Sequence, residues 1–389
     1  MDIVSILREG RGPRFSIEVY PPRTSRSAGG LSVQEHISRI FDTVEHLLPY
    51  RPAFVSVTYN PEGQTRSTSI PIAGIIRQRF GIEAVAHLTA LGTPPDEIPR
   101  TLEVMDYFGI QNVLAIRGDP PQGAGGPGAG GAPEATMVGG SGERVGGTVV
   151  GRPGAAGPGA AGAGREGVAG GGGAVSGPAT GDGAGGSGQA GMAGAEKGGP
   201  GSRDGAGAVA IGGSGRGGPR ISHASELVAL IKKHRRDFCV GVACYPEGHP
   251  ECVDAGGRRD LEKDLGYFRE KVEAGAGFAI TQLFLDNSRF FSFLERARRA
   301  GIEIPIVPGI MPVVSLQTLG IVKRLCGAEV PSLFLRRIEA AAGDPGEVRE
   351  RGIEHALEQC RGLVDRVPCI HFYAMNRWEP VERILKGLI

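Results

Sequence analysis

Residues 84–117 read AVAHLTALGTPPDEIPRTLEVMDYFGIQNVLAIR and contain the pattern that decides the fold. The apolar runs at 84–91 and 112–117 have the length and composition of buried strands, and the segment between them, at 95–108, has the period of a helix. A strand, a helix and a second strand in this order form a βαβ unit, in which the two strands are parallel. The stretch therefore predicts a parallel α/β fold.

The same alternation continues in both directions along the chain. Strands are predicted near 15–20, 54–59, 84–91, 112–117, 239–245, 278–285, 304–310 and 369–375. Helices are predicted near 32–48, 66–80, 95–108, 222–236, 260–274, 288–300, 315–326, 346–366 and 379–388. Eight strands that alternate with helices predict a single (β/α)8 barrel of the TIM type. The alternative is an open, doubly wound sheet, because strand order cannot be determined from one sequence.

A glycine-rich stretch interrupts the alternation after the fourth strand. Residues 121–220 hold 40 of the 66 glycines and contain no Leu, Phe, Tyr, Trp, Cys or His. Without large apolar side chains, the stretch cannot offset the entropy of ordering its backbone, so we expect it to be disordered. The predicted division of the chain is a first half-barrel at 1–121, a disordered insertion at 122–219 and a second half-barrel at 220–389. The insertion would then replace a βα loop on the catalytic face of the barrel.

The composition argues against several classes of protein. Lys and Arg number 43 against 42 Asp and Glu, so a net charge of +1 gives no overall attraction to nucleic acid or to an anionic membrane. Residues 1–10 do not resemble a secretory signal, and no later stretch has the roughly 18 apolar residues of a membrane span. The six cysteines lack the spacing of a disulfide framework. We expect a cytoplasmic homo-oligomer with reduced cysteines.

Polar residues that are unusual in apolar strands lie at the carboxyl ends of the predicted strands. They are Glu18, Thr58, His87, Arg117, Asp119, Tyr245, His249, Gln282, Asn376 and Arg377. The carboxyl ends of barrel strands converge on one face, so residues that are distant in sequence are expected to line one pocket. The pattern predicts a functional site at that face.

Several of these residues have both a functional and a structural interpretation. Glu18 lies between apolar neighbours in FSIEVYPP, where burial would raise the pKa of its carboxyl group and suit a general acid. The alternative is a structural glutamate that pairs with Arg23 or with another base. His87, taken alone, is better explained as a hydrogen-bonded core histidine, whereas His249 lies in a loop, where packing is a weaker explanation. Gln282 interrupts FAITQLFL and needs partners either in the barrel or on a ligand.

Three short motifs are less specific. The tripeptide 117–119, RGD, could bind a flavin or a phosphate, and its alternative is a surface turn. Residues 183–188, GAGGSG, match the dinucleotide pattern GxGxxG, but no strand precedes them and the surrounding glycine is enough to produce a chance match, so we reject this site. The Cys and His residues between 239 and 252 lack the paired CxxC spacing of a zinc site, so no metal is expected.

Eight phrases together resemble the methylenetetrahydrofolate reductase family. In chain order, between residues 15 and 377, they are FSIEVYPPRT, FVSVTYNPEGQTR, AVAHLTALG, GIQNVLAIRGDPP, VGVACYPEGHPE, KVEAGAGFAITQLFLD, GIEIPIVPGIMPV and HFYAMNR. The resemblance implies a β/α barrel that contains FAD and works by a ping-pong mechanism. A reduced nicotinamide, NADH or NADPH, would reduce the flavin and leave, and the flavin would then reduce 5,10-methylenetetrahydrofolate to 5-methyltetrahydrofolate.

The resemblance also implies roles for individual residues. Glu18 would be the general acid that helps to open the five-membered ring of the folate, Asp119 would lie near the flavin and the pterin, and Gln282 would hydrogen-bond the folate. The residues in contact with FAD would be Thr58, His87, Arg117, Gly118, Asp119, His223, Ala224, Tyr245, His249, Asp264 and Lys271. Arg377 would lie near the folate tail.

Two departures from the family pattern adjoin these residues. Val19 and Tyr20 follow Glu18 at positions where the family commonly has aromatic residues, and His223 stands where a tyrosine is frequent.

Two other functions remain as alternatives. One is a non-catalytic barrel whose glycine-rich segment serves for interaction or assembly. The other is a folate-linked methyltransferase barrel, for which the sequence offers no evident metal or corrinoid ligands.

Overall fold

The computed structural model describes residues 1–9, 14–22, 32–59, 66–91, 93–118 and 220–388. The predicted disordered insertion at 122–219 lies outside these residues, and so do the predicted site residue Asp119 and the possible ion-pair partner Arg23. The proposed division of the chain into two half-barrels and an insertion therefore stays a prediction.

Nine parallel strand segments form one continuous sheet. They are β1 Phe15–Val19, β2 Phe54–Val57, β3 Glu83–Thr89, β4 Asn112–Ile116, β5 Cys239–Cys244, β6 Phe278–Thr281, β7 Ile306–Val307, β8 Gly309–Ile310 and β9 Ile370–Tyr373. Their order in the sheet is β7-β6-β5-β4-β3-β2-β1-β9-β8. Consecutive strands are therefore neighbours, and the first strand pairs with the last, as a barrel requires.

The sheet closes through β7 and β8, which are two halves of one strand interrupted at Pro308. Proline has no N–H to donate, and this is where the strand changes partner. β7 pairs with β6, and β8 pairs with β9. The Pro308 carbonyl still accepts a hydrogen bond from the His371 N–H at 2.9 Å. Counted in this way, the barrel has eight strands, which confirms the predicted (β/α)8 TIM-type fold.

Helices surround the barrel between the strands. The α-helices are α1 Ile3–Glu9, α2 Val33–Leu47, α3 Arg66–Phe80, α4 Glu97–Tyr107, α5 Ala224–His234, α6 Leu261–Glu273, α7 Asn287–Arg299, α8 Leu316–Ile321, α9 Ser332–Ala340, α10 Pro345–Leu363 and α11 Trp378–Leu388. A 3₁₀ turn at Leu48–Tyr50 follows α2, and a π-helix at Val322–Cys326 follows α8. The sequence predictions contain neither α1 nor α9. In the described ranges, no helix is long and apolar enough to cross a membrane.

The short helix α1 packs across the amino-terminal end of the barrel. Ile3, Ile6 and Leu7 belong to the same buried cluster as inward-facing strand residues, among them Phe54 and Phe278. Burying an aliphatic side chain of this size contributes about 1.5–3 kcal/mol, so α1 covers this end firmly. Ligands are therefore expected to enter from the opposite end, where the carboxyl ends of the strands lie.

Strand alternation divides the side chains of β1 between two environments. Phe15, Ile17 and Val19 pack in the main hydrophobic cluster, between the sheet and the surrounding helices. Ser16 and Glu18 take the intervening positions and are also buried. Because successive side chains of a strand point to opposite faces, these two polar side chains lie inside the barrel.

Candidate active site

Glu18 lies at the centre of a buried polar cluster inside the barrel. The Tyr20 hydroxyl donates a hydrogen bond to Glu18 Oε1 at 2.7 Å. On the other carboxylate oxygen, Oε2, the Ser56 hydroxyl donates at 3.4 Å. His87 Nε2 lies 3.4 Å and His371 Nε2 lies 3.7 Å from the same Oε2. Four side chains, on or directly after β1, β2, β3 and β9, thus face one carboxylate. Glu18 therefore has its polar partners inside the barrel.

His371 is oriented by a second polar contact behind it. Its Nδ1 is 2.8 Å from Ser16 Oγ, and the Cys369 thiol donates to Ser16 Oγ at 3.6 Å. If the Ser16 hydroxyl donates to Nδ1, the ring hydrogen resides on Nε2, which faces Glu18. The Nε2 atoms of His371 and His87 are both buried, and neither makes a hydrogen bond of normal length.

The surroundings of Glu18 change its acidity in a direction opposite to the one expected from the sequence. Burial on its own raises the pKa of Glu18, but contact with His371, the positive charge of His87 and the Tyr20 hydroxyl together lower that pKa below its ordinary value. Burial lowers the pKa of His87, and the Glu18 carboxylate opposes this change. The expectation of a raised Glu18 pKa was wrong because the sequence did not show that Tyr20, His87 and His371 would all face this carboxylate.

Tyr373 connects this cluster to the region of Gln282. In the β1–β9 register it is the partner of Glu18, and its hydroxyl donates to the Thr281 carbonyl at 2.7 Å. Gln282 follows directly, and its N–H donates to the Cys244 carbonyl at 2.7 Å. The side-chain carbonyl of Gln282 accepts from the Leu283 N–H at 2.9 Å, so part of this amide has the structural role considered above.

Asn376 fixes the chain where β9 ends. Its side-chain amide donates to the Tyr20 carbonyl at 2.8 Å, and its side-chain carbonyl accepts from the Tyr20 N–H at 2.9 Å. Asn376 and Met375 both have a φ of 54°, in the left-handed region that few residues other than glycine adopt. This strained turn connects the end of β9 to Tyr20, which hydrogen-bonds Glu18, and it places the exposed Arg377 side chain just beyond the carboxyl end of β9.

A second group of predicted residues gathers around β5 and α6. The Tyr245 and His249 rings pack edge to face with centroids 4.7 Å apart, and the His249 backbone donates to the Asp264 carboxylate. Lys271 Nζ donates to the Ala243 carbonyl at 2.6 Å. Burial lowers the pKa of Lys271, and burial raises the pKa of Asp264 against the opposing charge of Lys271. Tyr245, His249, Asp264 and Lys271 therefore form one group of buried and half-buried side chains that can donate and accept hydrogen bonds.

The residues predicted at the ends of β4 and β2 make contacts with different parts of the barrel. Arg117 pairs with Glu251, in the loop that follows β5, with 2.6 Å between Nη2 and Oε2. Gly118 has a φ of 82°, so its backbone turns sharply directly after Arg117. The Thr58 N–H donates to the Val19 carbonyl at 3.1 Å, which holds the end of β2 against β1.

His223 and Ala224 mark the start of α5. His223 is the N-cap residue, it makes no side-chain capping bond, and its Nδ1 lies 3.8 Å from Glu226 Oε1. It is exposed, whereas Ala224 is half-buried as the first residue of the helix. The structure thus brings Glu18 together with His87, and Tyr245 with His249, Asp264 and Lys271. It gives His223 no contact with either group among the described residues.

The sequence predictions omit most of the polar side chains around Glu18. The omitted residues are Ser16, Tyr20, Ser56, His371 and Tyr373. The sequence feature that could have identified them is the alternation of polar and apolar residues within buried strands. Ser16 and Glu18 are two positions apart, as are His371 and Tyr373, and a polar residue at every second position of an otherwise apolar strand indicates a polar barrel interior.

Comparisons with known proteins agree with the sequence motifs. The family profile described as methylenetetrahydrofolate reductase matches residues 3–130 and 213–388. Methylenetetrahydrofolate reductase 2 of Schizosaccharomyces pombe is 29% identical, over 96% of this chain and 45% of its own length. Methylenetetrahydrofolate reductase (NADH) 1 of Arabidopsis thaliana is 25% identical, over 99% and 50%. The chain thus spans about half the length of these relatives.

A shorter relative is covered more completely. 5,10-Methylenetetrahydrofolate reductase of Escherichia coli is 26% identical, over 94% of this chain and 86% of its own length. Among solved structures, an uncharacterized Clostridium thermocellum protein that binds two copies of 5-methyl-5,6,7,8-tetrahydrofolic acid has a TM-score of 0.52 at 10% identity, over 98% of this chain and 95% of its own. This likeness supports the fold alone. With the profile matching both parts of the barrel, the chain belongs to the methylenetetrahydrofolate reductase family.

Proposed function

We propose that this protein reduces the one-carbon bridge of 5,10-methylenetetrahydrofolate to a methyl group, with FAD as cofactor and NADH or NADPH as the source of electrons. Family membership supports the reaction class, and one observation supports its location. Glu18 is a carboxyl group buried in the barrel interior whose oxygens contact Tyr20, Ser56, His87 and His371. An acid held in this way from several strands suits a step that delivers one proton to one atom.

Glu18 has the chemistry that ring opening requires. Breaking the bond between the one-carbon bridge and one ring nitrogen leaves an iminium on the other nitrogen, and the departing nitrogen needs a proton. The Glu18 carboxyl group would supply that proton and become a carboxylate. The Tyr20 hydroxyl, 2.7 Å from Oε1, would then stabilise the negative charge. Because the pKa of Glu18 lies below its ordinary value in the protein without substrate, the carboxyl form predominates only at acidic pH, and the proposal requires the bound substrate to raise that pKa.

The residues at the carboxyl-terminal face suit a flavin dinucleotide. Lys271 and Arg117 are cations for the phosphates, and Asp264 is an acceptor for a sugar hydroxyl. Gly118, with a φ of 82° and no side chain, would let the backbone approach a ring closely. A bound flavin would supply the hydride. The remaining proposed contacts are Thr58, His87, His223, Ala224, Tyr245, His249 and, outside the described residues, Asp119.

Gln282 and Arg377 are the proposed contacts of the folate. Gln282 follows β6 directly, and its side-chain amide nitrogen would donate to the pterin while its carbonyl stays on the Leu283 N–H at 2.9 Å. Arg377 is exposed, next to the strained Asn376, where a guanidinium can bind the carboxylates of the folate tail through paired hydrogen bonds. Both residues would therefore orient the substrate with respect to Glu18.

The test is an anaerobic assay of the two half-reactions. Purified protein is supplied with FAD, and its flavin absorbance is followed on addition of NADH, of NADPH, and then of methylenetetrahydrofolate. The proposal expects bleaching by at least one nicotinamide and recovery of the flavin absorbance with the folate. Protein that binds no flavin, or a reduced flavin that methylenetetrahydrofolate cannot reoxidise, would contradict the proposal.

Sedimentation of the same sample tests the predicted homo-oligomer, and fractionation of cells tests the cytoplasmic location.

The variant Glu18→Gln separates the acid step from flavin reduction. Glutamine keeps the shape and can accept the Tyr20 hydrogen bond, but it has no proton to donate. We expect an unchanged rate of flavin reduction by the nicotinamide and a folate half-reaction that is slower by at least about 100-fold, the usual contribution of a general acid. Glu382→Gln, on the outer helix α11, is the matched control. Full folate reduction by Glu18→Gln would disprove the general-acid role.

A further inference from the structure

The Arg259 guanidinium contacts four backbone carbonyls that belong to two separate segments. Nη1 donates to the Glu247 and Gly248 carbonyls, at 3.2 Å each. Nη2 donates to the Gly327 carbonyl at 2.8 Å and to the Cys326 carbonyl at 3.5 Å. Each terminal nitrogen of a guanidinium can serve two acceptors, so one side chain connects the loop after β5 with the end of the π-helix. We call this set of contacts the Arg259 bridge.

A tight turn fixes the backbone on either side of Arg259. The Asp254 N–H donates to the Arg258 carbonyl at 2.7 Å, and the Asp254 carboxylate accepts from the Arg258 N–H at 2.9 Å. The Asp260 N–H donates to the Cys252 carbonyl at 2.9 Å, which closes the same turn from its other side. Because the backbone is already held, the main cost of the bridge is the entropy lost when one long side chain is ordered.

The end of the π-helix provides acceptors that suit a cation. The last carbonyls of a helix have no partner within the helix and carry the negative end of its dipole. Gly327 is the C-cap residue, with a φ of 57°, and a Cβ atom there would overlap Arg259 Nη2. Position 327 therefore admits the guanidinium because it has no side chain. A second link joins the same two segments, since the Glu329 N–H donates to Glu247 Oε2 at 2.8 Å.

The two bridged segments adjoin different parts of the proposed site. Tyr245 and His249, two of the proposed flavin contacts, lie in the loop after β5. The helix α8 and the π-helix pack in one hydrophobic cluster with Leu283, the neighbour of the proposed folate contact Gln282. The Arg259 bridge therefore fixes the flavin side of the carboxyl-terminal face relative to the folate side.

We propose that Arg259 is a positioning residue that couples flavin binding to the shape of the folate site. A flavin in contact with Tyr245 and His249 would order the loop after β5, and the bridge would extend that order to the end of the π-helix and to the cluster beside Gln282. The inference rests on the proposed function, because it takes FAD and the folate to bind on these two sides. Such coupling is reciprocal, so a folate bound beside Gln282 should also tighten the binding of FAD.

Two variants of Arg259 distinguish bridging from charge. Arg259→Met keeps the apolar stem and removes all four contacts, whereas Arg259→Lys keeps the positive charge on a single nitrogen, which cannot reach both segments as a fork does. We expect Arg259→Met to raise the folate KM by roughly 10-fold, the effect of losing a charged hydrogen bond, with a smaller change in the limiting rate. Arg259→Lys should recover only part of this loss. Arg258→Met is the matched control, because the neighbouring Arg258 side chain is 87% exposed.

Hydrogen exchange provides a readout that does not depend on activity. Amide exchange at 245–252 and at 322–329 is followed in the full chain with and without FAD. In the unmodified protein FAD should slow exchange in both stretches, by at least about fivefold at 322–329, the lower end of typical coupling between two sites. In Arg259→Met the effect of FAD on 245–252 should remain, while its effect on 322–329 should disappear. A residue that only stabilises the fold would change exchange equally with and without FAD.

Gly327→Ala tests the same contact from the other segment, because its Cβ atom displaces the Arg259 guanidinium. Gly257→Ala is the matched control. Gly257 has a φ of 75° and nothing within 4 Å of an added Cβ, so the control has comparable backbone strain without the overlap. Arg259→Met and Gly327→Ala should each remove the FAD-dependent protection of 322–329. The double variant should lose no more than either single variant, because all three lack the same interaction.

The outcomes separate this inference from the proposed function. Protection of 322–329 by FAD that persists in Arg259→Met would overturn the coupling and leave the proposed function intact. If Arg259→Met does not fold, Gly327→Ala decides by the same measurement. Protein that binds FAD but does not reduce methylenetetrahydrofolate would refute the proposed function, while the exchange data still test the coupling. Protein that binds no FAD would refute both.

Discussion

At the scale of single residues, the acidity of Glu18 results from opposing effects. Burial favours the neutral carboxyl group, while hydrogen bonds and nearby imidazoles favour the carboxylate, and the second set prevails. A change in any one donor should therefore shift the pKa measurably. Tyr20 is the best placed of these donors, because its 2.7 Å contact with Oε1 is the shortest in the cluster.

The variant Tyr20→Phe removes this hydroxyl and keeps the ring. A hydrogen bond to a charged group contributes about 1.5–3 kcal/mol, and its loss should raise the Glu18 pKa by roughly one to two units. The acid form then persists to higher pH, so the basic limb of the folate half-reaction should move upward. Tyr50→Phe is the control, because the Tyr50 hydroxyl contacts Glu382 at 3.3 Å, away from Glu18. A pH profile of Tyr20→Phe identical to that of the unmodified protein would refute the assigned role.

The sequence could identify members of the site but not their partners. Glu18 and His87 were both singled out, yet their 3.4 Å contact joins two strands that are not adjacent in the sheet. His87 was expected to be either a core residue or a flavin contact, and its position beside Glu18 depends on the register of three strands. A polar pattern in one strand cannot specify that register, because it is set by packing across the whole barrel.

At the scale of elements, the eight predicted strands agree with the observed sheet, and the differences have local causes. The seventh strand is broken at Pro308, as the sequence VPG at 307–309 could have indicated. The helix α1 has only 7 residues, too few for a helical period to be recognised. The helix α9 begins directly after Pro331, a start signal that the sequence predictions left out.

The packing of α10 on the segment that follows β8 depends on Gly352. A Cβ atom at Gly352 would overlap the backbone carbonyl of Val313, which cannot rotate away. We expect Gly352→Ala to lower the free energy of unfolding by about 1–3 kcal/mol, the usual cost of overpacking. Gly266→Ala is the matched control in α6, where a Cβ meets nothing within 4 Å, and it should be neutral or stabilising by up to about 1 kcal/mol. Equal unfolding midpoints in urea for the two variants would contradict this account.

At the scale of the whole molecule, the site exists only in the closed barrel. Ser16 and His371 are in contact although 355 positions separate them in the sequence, and Glu18 draws its partners from both ends of the chain. The two parts of the chain meet a second time where β4 pairs with β5, from Asn112 opposite Cys239 to Ala115 opposite Val242. The barrel therefore has two interfaces between the described residues before the glycine-rich stretch and those after it, one at β1–β9 and one at β4–β5.

Deletion of residues 131–212, which separate the two stretches matched by the family profile, tests whether these two interfaces are enough to hold the barrel together. Strands β4 and β5 would still pair, and a shorter connection should stabilise the barrel by about 1 kcal/mol, because the entropy of closing a loop changes only with the logarithm of its length. We expect unchanged flavin content and unchanged rates of both half-reactions. A Gly/Ser linker of equal length is the control. If the deletion abolishes flavin binding and the linker does not restore it, the sequence of the segment matters, which would favour an interaction role over a passive insertion.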